Sequence, residues 1–237
     1  MSNLVATVKH IIPIVIILAV QQKSFGQTTF SDTTFILGET KNDIYHAIYI
    51  DSNKTSKYYD WISTFEFGKF DTANYASSIA DLKEKKSKPF AKHKLSDLPR
   101  QWCSLYGCKE KFYLYSPCDY MFNYKLAISD TTYIDYFGDG PTAIRINTFT
   151  VIDNNTYKFS VATYDQFNRV IVIHIIDKKN GIAIFEESSE IEEHKFYLMV
   201  MAGKVKNFPI IVNYSAAQKQ KEFKFDDINF EKFLNRN

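Results

Sequence analysis

Glycine is scarce in this chain, with eight among 237 residues. This scarcity leaves no Gly-rich phosphate loop and no dinucleotide-binding fingerprint, because both need several glycines at fixed spacing. The Gly-x-Ser-x-Gly elbow of serine hydrolases and the His-Glu-x-x-His zinc motif are also missing from the sequence. The sequence therefore predicts no cofactor, and it carries no motif that identifies an enzyme.

A surplus of charge of one sign is also lacking. The chain has 29 Lys and Arg against 27 Asp and Glu. Residues 1–26 hold Lys9 and Lys23 and no acid, so residues 27–237 balance 27 basic against 27 acidic side chains. A neutral chain gives no electrostatic reason to bind nucleic acid or an anionic membrane. We interpret the lysine-rich stretch at 83–100 as a solvated connecting loop rather than a site for a polyanion.

Cysteines are few and close together, at Cys103, Cys108 and Cys118. In an exported protein this arrangement predicts one disulfide and one free thiol, and the sequence does not choose among the three possible pairs. The spacing is unlike that of zinc ligands, and no histidine lies close enough in sequence to complete a site. A catalytic role for the remaining thiol stays open. We therefore predict no metal site.

Long apolar runs are lacking too. The apolar run Ile11–Val20 has ten residues, whereas a membrane-spanning helix needs about twenty. The run follows Lys9, and Ser24 and Gly26 supply small residues at the −3 and −1 positions of a cleavage site, which is the pattern of a cleaved signal peptide over residues 1–26. We expect a periplasmic or secreted protein that begins near Gln27, with no transmembrane segment in the mature chain.

β-forming sequence, in contrast, is abundant. Between Leu105 and Met201, clusters of Gly, Pro, Asn, Asp and Ser recur about every dozen residues, the spacing of an all-β sandwich or barrel. The intervening runs alternate, so that Tyr157, Phe159 and Val161 share one face. Connections this short join antiparallel neighbours. The prediction is a mainly β fold, an antiparallel meander of about eight or more strands with one or two peripheral helices.

The remaining elements complete a single β-rich domain at residues 27–237. Barrel and two-sheet sandwich stay open, because both show the same alternation. The outline is similar to that of lipocalin-like barrels, but neither Trp61 nor Trp102 stands in a Gly-x-Trp pattern, so we assign no family. The N-terminal region at 27–98 is predicted to contain an exposed arm, a strand over Ile44–Ile50 and a helix over 72–86. The meander at 99–237 is predicted to include a closing strand over Phe208–Val212 and a short helix over Phe225–Leu234.

Polar side chains on apolar strands are the candidate ligand contacts. Arg145 shares a predicted face with Asn147 and Phe149, and His174 lies on a strand, Val170–Ile176, that is apolar on both faces and should therefore be covered twice. Such groups suit the wall or mouth of a barrel cavity, although local hydrogen bonds would explain them equally well. The predicted ligand-binding residues are Arg145, His174, Trp102 and Asn147.

Two classes of function follow. The leading hypothesis is an exported, monomeric, non-enzymatic module that binds a small apolar ligand or a protein partner. It is motivated by the aromatic content, the few catalytic candidates and the neutral charge. The alternative is a periplasmic hydrolase whose site is assembled only in the fold. The dense acids Glu186, Glu187, Glu190, Glu192 and Glu193 are predicted to lie in a solvated loop.

Overall fold

Antiparallel strands dominate the part of the chain that the structure, a computed structural model, describes: residues 32–85, 90–95, 97–162, 168–189, 194–217 and 220–235. The predicted mainly β fold is confirmed. The strands are β1 (Thr33–Lys41), β2 (Ile44–Asp51), β3 (Gln101–Ser104), β4 (Tyr106–Cys108), β5 (Lys111–Ser116), β6 (Lys125–Ile128), β7 (Thr132–Phe137), β8 (Gly140–Val151), β9 (Thr156–Ala162), β10 (Asn168–Asp177), β11 (Ile182–Ser189), β12 (Lys195–Met201) and β13 (Ile210–Ser215). The helices are α1 (Lys57–Ser63), α2 (Lys69–Lys85) and α3 (Glu231–Leu234), and 3₁₀ turns span Tyr120–Phe122 and Ala202–Asn207.

Eight strands form a closed antiparallel barrel. Strands β6 to β12 follow one another in the meander that the turn spacing predicts, and β3 closes the barrel between β12 and β6. At the closure Met201 of β12 lies opposite Trp102 of β3, and Cys103 lies opposite Lys125 of β6. The sequence left open whether the fold is a barrel or a two-sheet sandwich. The structure is a barrel with an added second sheet.

The interior of the barrel is a packed core. On β10, Ile171, Ile173 and Ile175 point inward and are buried, as the alternation along a strand requires. Leu95 and Leu98, from the segment between α2 and β3, join this core at the end where β3 begins. At the opposite mouth, where β10 and β12 begin and β11 ends, the barrel opens into a cavity.

The second sheet has the strand order β1-β2-β13-β5-β4 and lies against the outside of the barrel. Leu114, Ile210 and Val212 from this sheet share a buried cluster with Ile184 and Leu198 on the outer face of β11 and β12. Strand β11 is thus covered on both faces. On β10, for which double covering was predicted, the outer Val170 and Val172 are only half-buried.

Two expectations about the strands are corrected by this sheet. The predicted meander began at Leu105, but β4 and β5 leave the barrel and pair in the second sheet. In addition, β5 and β13 are parallel, with Leu114 opposite Ile210 and Ser116 opposite Val212. A parallel pair needs a long crossover, and these two strands meet that need because most of the barrel separates them in sequence.

The helices lie close to their predicted places, except at the C-terminus. Helix α2 begins three residues before the predicted start and packs on the outside of β7 and β8, where Ser78 Oγ accepts a hydrogen bond from the Ala143 amide at 3.0 Å. Residues 220–230, here called the C-terminal strap, form neither a helix nor a strand, and α3 follows them. The predicted helix over Phe225–Leu234 is confirmed at Glu231–Leu234 and wrong before it, where Phe225 and Phe230 contact separate partners.

The predicted disulfide is not formed. All three cysteines of the chain lie within the described residues, and all three are free. They occupy different surroundings: Cys103 is buried on β3 between barrel and sheet, and its Sγ lies 3.5 Å from the Ile62 carbonyl oxygen. Cys108 ends β4, while Cys118 Sγ lies 3.6 Å from the Ala217 carbonyl oxygen. The three cysteines are close in sequence but do not pair in the fold, because β4 and β5, which lie between Cys103 and Cys118 in sequence, leave the barrel.

Candidate functional site: a cleft at the barrel mouth

Two adjoining cavities open at the mouth of the barrel, and together we call them the mouth cleft. The larger, the aromatic chamber, has a volume of about 420 Å³, and the smaller, the polar chamber, about 250 Å³. They share Tyr124, Phe137 and Tyr197. The aromatic chamber is lined by Ser104, Leu105, Tyr106, Gly107, Tyr124, Phe137, Phe196, Tyr197, Leu198, Phe225, Asp226, Asp227, Ile228 and Phe230; the polar chamber adds Asp135, Arg169, Glu187 and Lys195.

Arg169 is the centre of the polar chamber. Its Nη1 donates to Asp135 Oδ2 at 3.0 Å, and its Nη2 donates to Glu187 Oε2 at 2.9 Å. The Nε atom lies 2.6 Å from Glu187 Oε1, close enough for an ion pair but without the geometry of a hydrogen bond. Tyr124 completes the cluster by donating its hydroxyl to Asp135 Oδ1 at 2.8 Å. The guanidinium is therefore held from two sides in a fixed orientation.

The electrostatics of this cluster keep the arginine charged and the tyrosines neutral. Burial lowers the pKa of Arg169, but the carboxylates of Asp135 and Glu187 outweigh it and raise that pKa above its ordinary value. Burial raises the pKa of both Tyr124 and Tyr133 well above the usual range. The Tyr133 ring centroid lies 5.9 Å from the guanidinium carbon, a cation–π contact. The cluster thus combines a charged guanidinium with neutral phenols.

Strand alternation brings these side chains together. On β7, Tyr133 belongs to the barrel core, so Asp135, two residues later, faces the same interior. On β11, Ala183 and Phe185 point inward, which places Glu187 at the mouth on the same face. The expectation that Glu186 and Glu187 lie in a loop is corrected, since both belong to β11. Glu190, Glu192 and Glu193 lie outside the described residues.

The aromatic chamber lies between β12, the β3–β4 edge and the C-terminal strap. Phe230 of the strap stacks on Phe196 of β12 with ring centroids 5.4 Å apart, and Phe225 stacks on Tyr106 at 4.4 Å. The rings therefore come from both walls of the chamber. Their faces and edges suit a ligand with a flat or flexible apolar body.

A polar network fastens the strap to the second sheet. The Glu222 carboxylate accepts hydrogen bonds from the Tyr115 hydroxyl, from Asn213 Nδ2 at 3.0 Å and from the Asp119 amide at 3.0 Å. Asn213 is itself held by His46, whose Nε2 lies 2.8 Å from Asn213 Oδ1. His46 is a core histidine, since it is buried and its hydrogen-bond partner is buried as well. The strap wall is thus anchored to buried groups.

None of the four predicted ligand contacts lines the mouth cleft. Trp102 is fully buried in the barrel core, and its indole nitrogen donates to the Pro99 carbonyl oxygen at 2.9 Å. Arg145 is buried on the outer side of β8, with its guanidinium 5.4 Å from the Phe90 ring centroid. His174 also faces outward and lies 3.2 Å from Glu186 Oε2. The structure does not bring these residues together, and ligand binding through them stays a prediction.

The fourth residue, Asn147, explains why Arg145 and Phe149 do not share the predicted face. Pairing between β8 and β9 shifts register between Ile146 and Thr148, so Asn147 is the extra residue of a β-bulge. Before the bulge Ile146 points into the core, and after it Phe149 packs against the same core. Arg145 therefore lies on the opposite face from Phe149, and simple alternation misassigned it.

The functional residues that sequence reasoning missed are Asp135, Arg169 and Glu187. One signal was present: Asp135 is a lone acid within the otherwise apolar and aromatic run of β7. Arg169 directly follows a predicted turn, where charged residues usually face solvent. Only closure of the barrel shows that both strands reach the same mouth.

Metal binding and membrane spanning gain no support from the described part of the chain. There, no set of three or more His, Cys, Asp or Glu side chains is placed to hold a metal ion. Glu186 lies between His174 and His194, at 3.2 and 3.1 Å, but this arrangement is a hydrogen-bonded cluster on the outer barrel surface. None of the described helices combines the length and the apolar character that crossing a membrane requires.

Comparison with known proteins gives no family. No family model matches the chain, and no curated protein or solved structure matches it. The inference of function therefore depends on the geometry of the mouth cleft alone.

Proposed function

We propose that this protein is an exported, non-enzymatic module that binds a small, largely apolar ligand in the mouth cleft. The observation that carries the proposal is the joining of an aromatic chamber to a polar chamber whose charges are fixed by the Arg169 cluster. Ligand sites typically combine apolar walls with a few placed polar groups, and their volumes begin at about 300 Å³. The aromatic chamber meets both conditions.

Binding of the neutral fluorescent probe N-phenyl-1-naphthylamine tests the proposal. Tyr197 lines both chambers, so we expect Tyr197→Ala to raise the Kd of the probe about tenfold, corresponding to the loss of an aromatic contact of about 1.4 kcal/mol. Phe70→Ala is the matched control, because Phe70 is 71% exposed on α2 and lies outside the cleft. Equal affinities of the two variants would refute the site.

A variant of His174 separates the cleft from the contacts that the sequence predicted. His174 lies on the outer surface of β10, away from both chambers. His174→Ala should therefore leave probe affinity unchanged. If the ligand bound through the sequence-predicted residues instead, the same variant would weaken binding by about 1–2 kcal/mol.

The hydrolase hypothesis has one supporting observation, the pair of carboxylates Asp135 and Glu187 in a cleft. Both carboxylates are bound by the same guanidinium, so neither of them is free to act as a general acid or base. For this reason we favour binding. In a hydrolase that used Glu187 as its base, Glu187→Gln would lower turnover by about 10²–10⁴-fold while substrate still bound.

A further inference from the structure

We infer that the ligand of the aromatic chamber is an organic cation, an ammonium group attached to an apolar body. This inference rests on the proposed function and adds the chemical class of the ligand. Its basis is the distribution of charge between the two chambers. The charged residues that line the aromatic chamber are Asp226 and Asp227, and no Lys or Arg accompanies them.

The polar chamber does not offset these two acids. Its lining contains Arg169 and Lys195 against Asp135 and Glu187, so its formal charges balance. Arg169 is, moreover, already bound to both carboxylates. The mouth cleft as a whole therefore carries a formal charge of −2, and that charge is located on the strap wall of the aromatic chamber.

The two aspartates differ in what they are free to do. Asp226 Oδ2 accepts a hydrogen bond from the Lys109 amide at 2.6 Å, which fixes the strap against the β4–β5 hairpin. Asp227 is exposed, and among the described contacts it takes part in no hydrogen bond or ion pair. One acid thus positions the wall, and the other is an exposed acid at the rim of the chamber, which also borders a neighbouring cavity lined by Lys111 and Lys232.

Aromatic rings add to the preference for a cation. Phe225 and Phe230 flank the two aspartates in sequence and line the same chamber. A cation over an aromatic face is attracted by the ring quadrupole, and a nearby carboxylate adds Coulomb attraction. An anionic ligand of the same shape would meet like charge and would gain neither contact. Charge complementarity therefore selects the cation.

The test compares three ligands that share one decyl chain: decyltrimethylammonium, 1-decanol and decyl sulfate, each below its micelle concentration. Each competes with N-phenyl-1-naphthylamine for the wild-type protein. We expect the ammonium compound to displace the probe at about fivefold lower concentration than the alcohol, and the sulfate to be weakest. Raising the salt concentration to about 0.5 M should reduce this preference, since the rim of the chamber is exposed.

Variants assign the preference to the aspartates. The double variant Asp226→Asn/Asp227→Asn should bring the ammonium and alcohol concentrations together, and the asparagine at 226 retains an acceptor for the Lys109 amide. Asp81→Asn removes an exposed charge from α2, outside the cleft, and should change nothing.

The outcomes separate the two claims. If the probe does not bind, or if Tyr197→Ala binds it as wild type does, the proposed function fails. If the probe binds as proposed but the alcohol or the sulfate competes as well as the ammonium compound, only the cation inference is overturned. A cation preference that survives in the double variant would overturn it as well.

Discussion

Replacing Arg169 with leucine would leave two carboxylates at the barrel mouth without their partner. Asp135 is 4% exposed and Glu187 is 9% exposed. Breaking a buried ion pair by removing one partner costs about 3–5 kcal/mol, because the remaining charge is left unpaired in a poorly solvated place. Since a domain is stable by only about 5–15 kcal/mol, Arg169→Leu should remove a large part of the free energy of unfolding.

Urea denaturation measures this loss, and the fluorescence of the fully buried Trp102 reports it. With a denaturant slope of roughly 2 kcal/mol per molar, a loss of about 3 kcal/mol lowers the midpoint by about 1.5 M. Arg100→Leu is the matched control, because the Arg100 guanidinium makes a single contact of 3.5 Å with the Ile128 carbonyl oxygen among the described contacts. This control should shift the midpoint by less than about 0.5 M.

The triple variant Arg169→Leu/Asp135→Asn/Glu187→Gln decides the cause. It removes all three charges, so most of the lost stability should return, as happens when a buried ionic cluster is replaced as a unit. A cost below about 1 kcal/mol for Arg169→Leu would refute the reasoning. A triple variant as unstable as the single variant would also refute it, since the penalty would then arise from packing rather than from unpaired charge.

The remaining predictions concern thiols, alkaline stability and export. Folded protein should react with a thiol reagent at two cysteines, because Cys103 is fully buried and burial raises the pKa of its thiol to about 12. Unreduced, denatured protein should react at all three cysteines. A single free thiol after denaturation would instead show that the predicted disulfide forms. Burial raises the pKa of Tyr59 and Tyr136 to about 12 from an ordinary value of 10.0. The unfolded chain therefore loses these protons first, and the contribution of the two tyrosines to stability is complete below about pH 10 and lost as the pH rises toward 12. The free energy of unfolding is measured over this interval, together with tyrosinate absorbance. A free energy that stays constant would contradict the raised pKa values. Mass spectrometry of protein from the native host should find a chain that begins at or near Gln27, whereas a chain that retains Met1 would exclude the predicted cleavage.

Local patterns predicted the antiparallel meander because its strands follow one another in sequence. Turn clusters marked the ends of β6 to β12, and alternation placed Phe159 and Val161 on one face, which is the face that lies in the core. These inferences need only the period of a strand and the chemistry of turns.

The parts that were not predicted depend on contacts distant in sequence or on one local irregularity. The bulge at Asn147 reverses the faces of β8, and an asparagine at this position does not by itself predict a bulge. The parallel pairing of β5 with β13 and the non-helical strap depend on packing between distant segments, which a period cannot reveal. The Arg169 cluster joins three strands, so only the closed barrel brings its members together.

The second sheet has a consequence for the order of folding. It joins strands from opposite ends of the chain, because β13 inserts between β2 and β5, whereas the barrel is built within residues 101–201. Long loops must close before such distant strands can pair, so we expect the barrel to form first and the sheet later. The C-terminal strap follows β13, and it therefore docks last. The ability to bind a ligand would then be acquired at the final step of folding, when a finished barrel mouth receives its second wall.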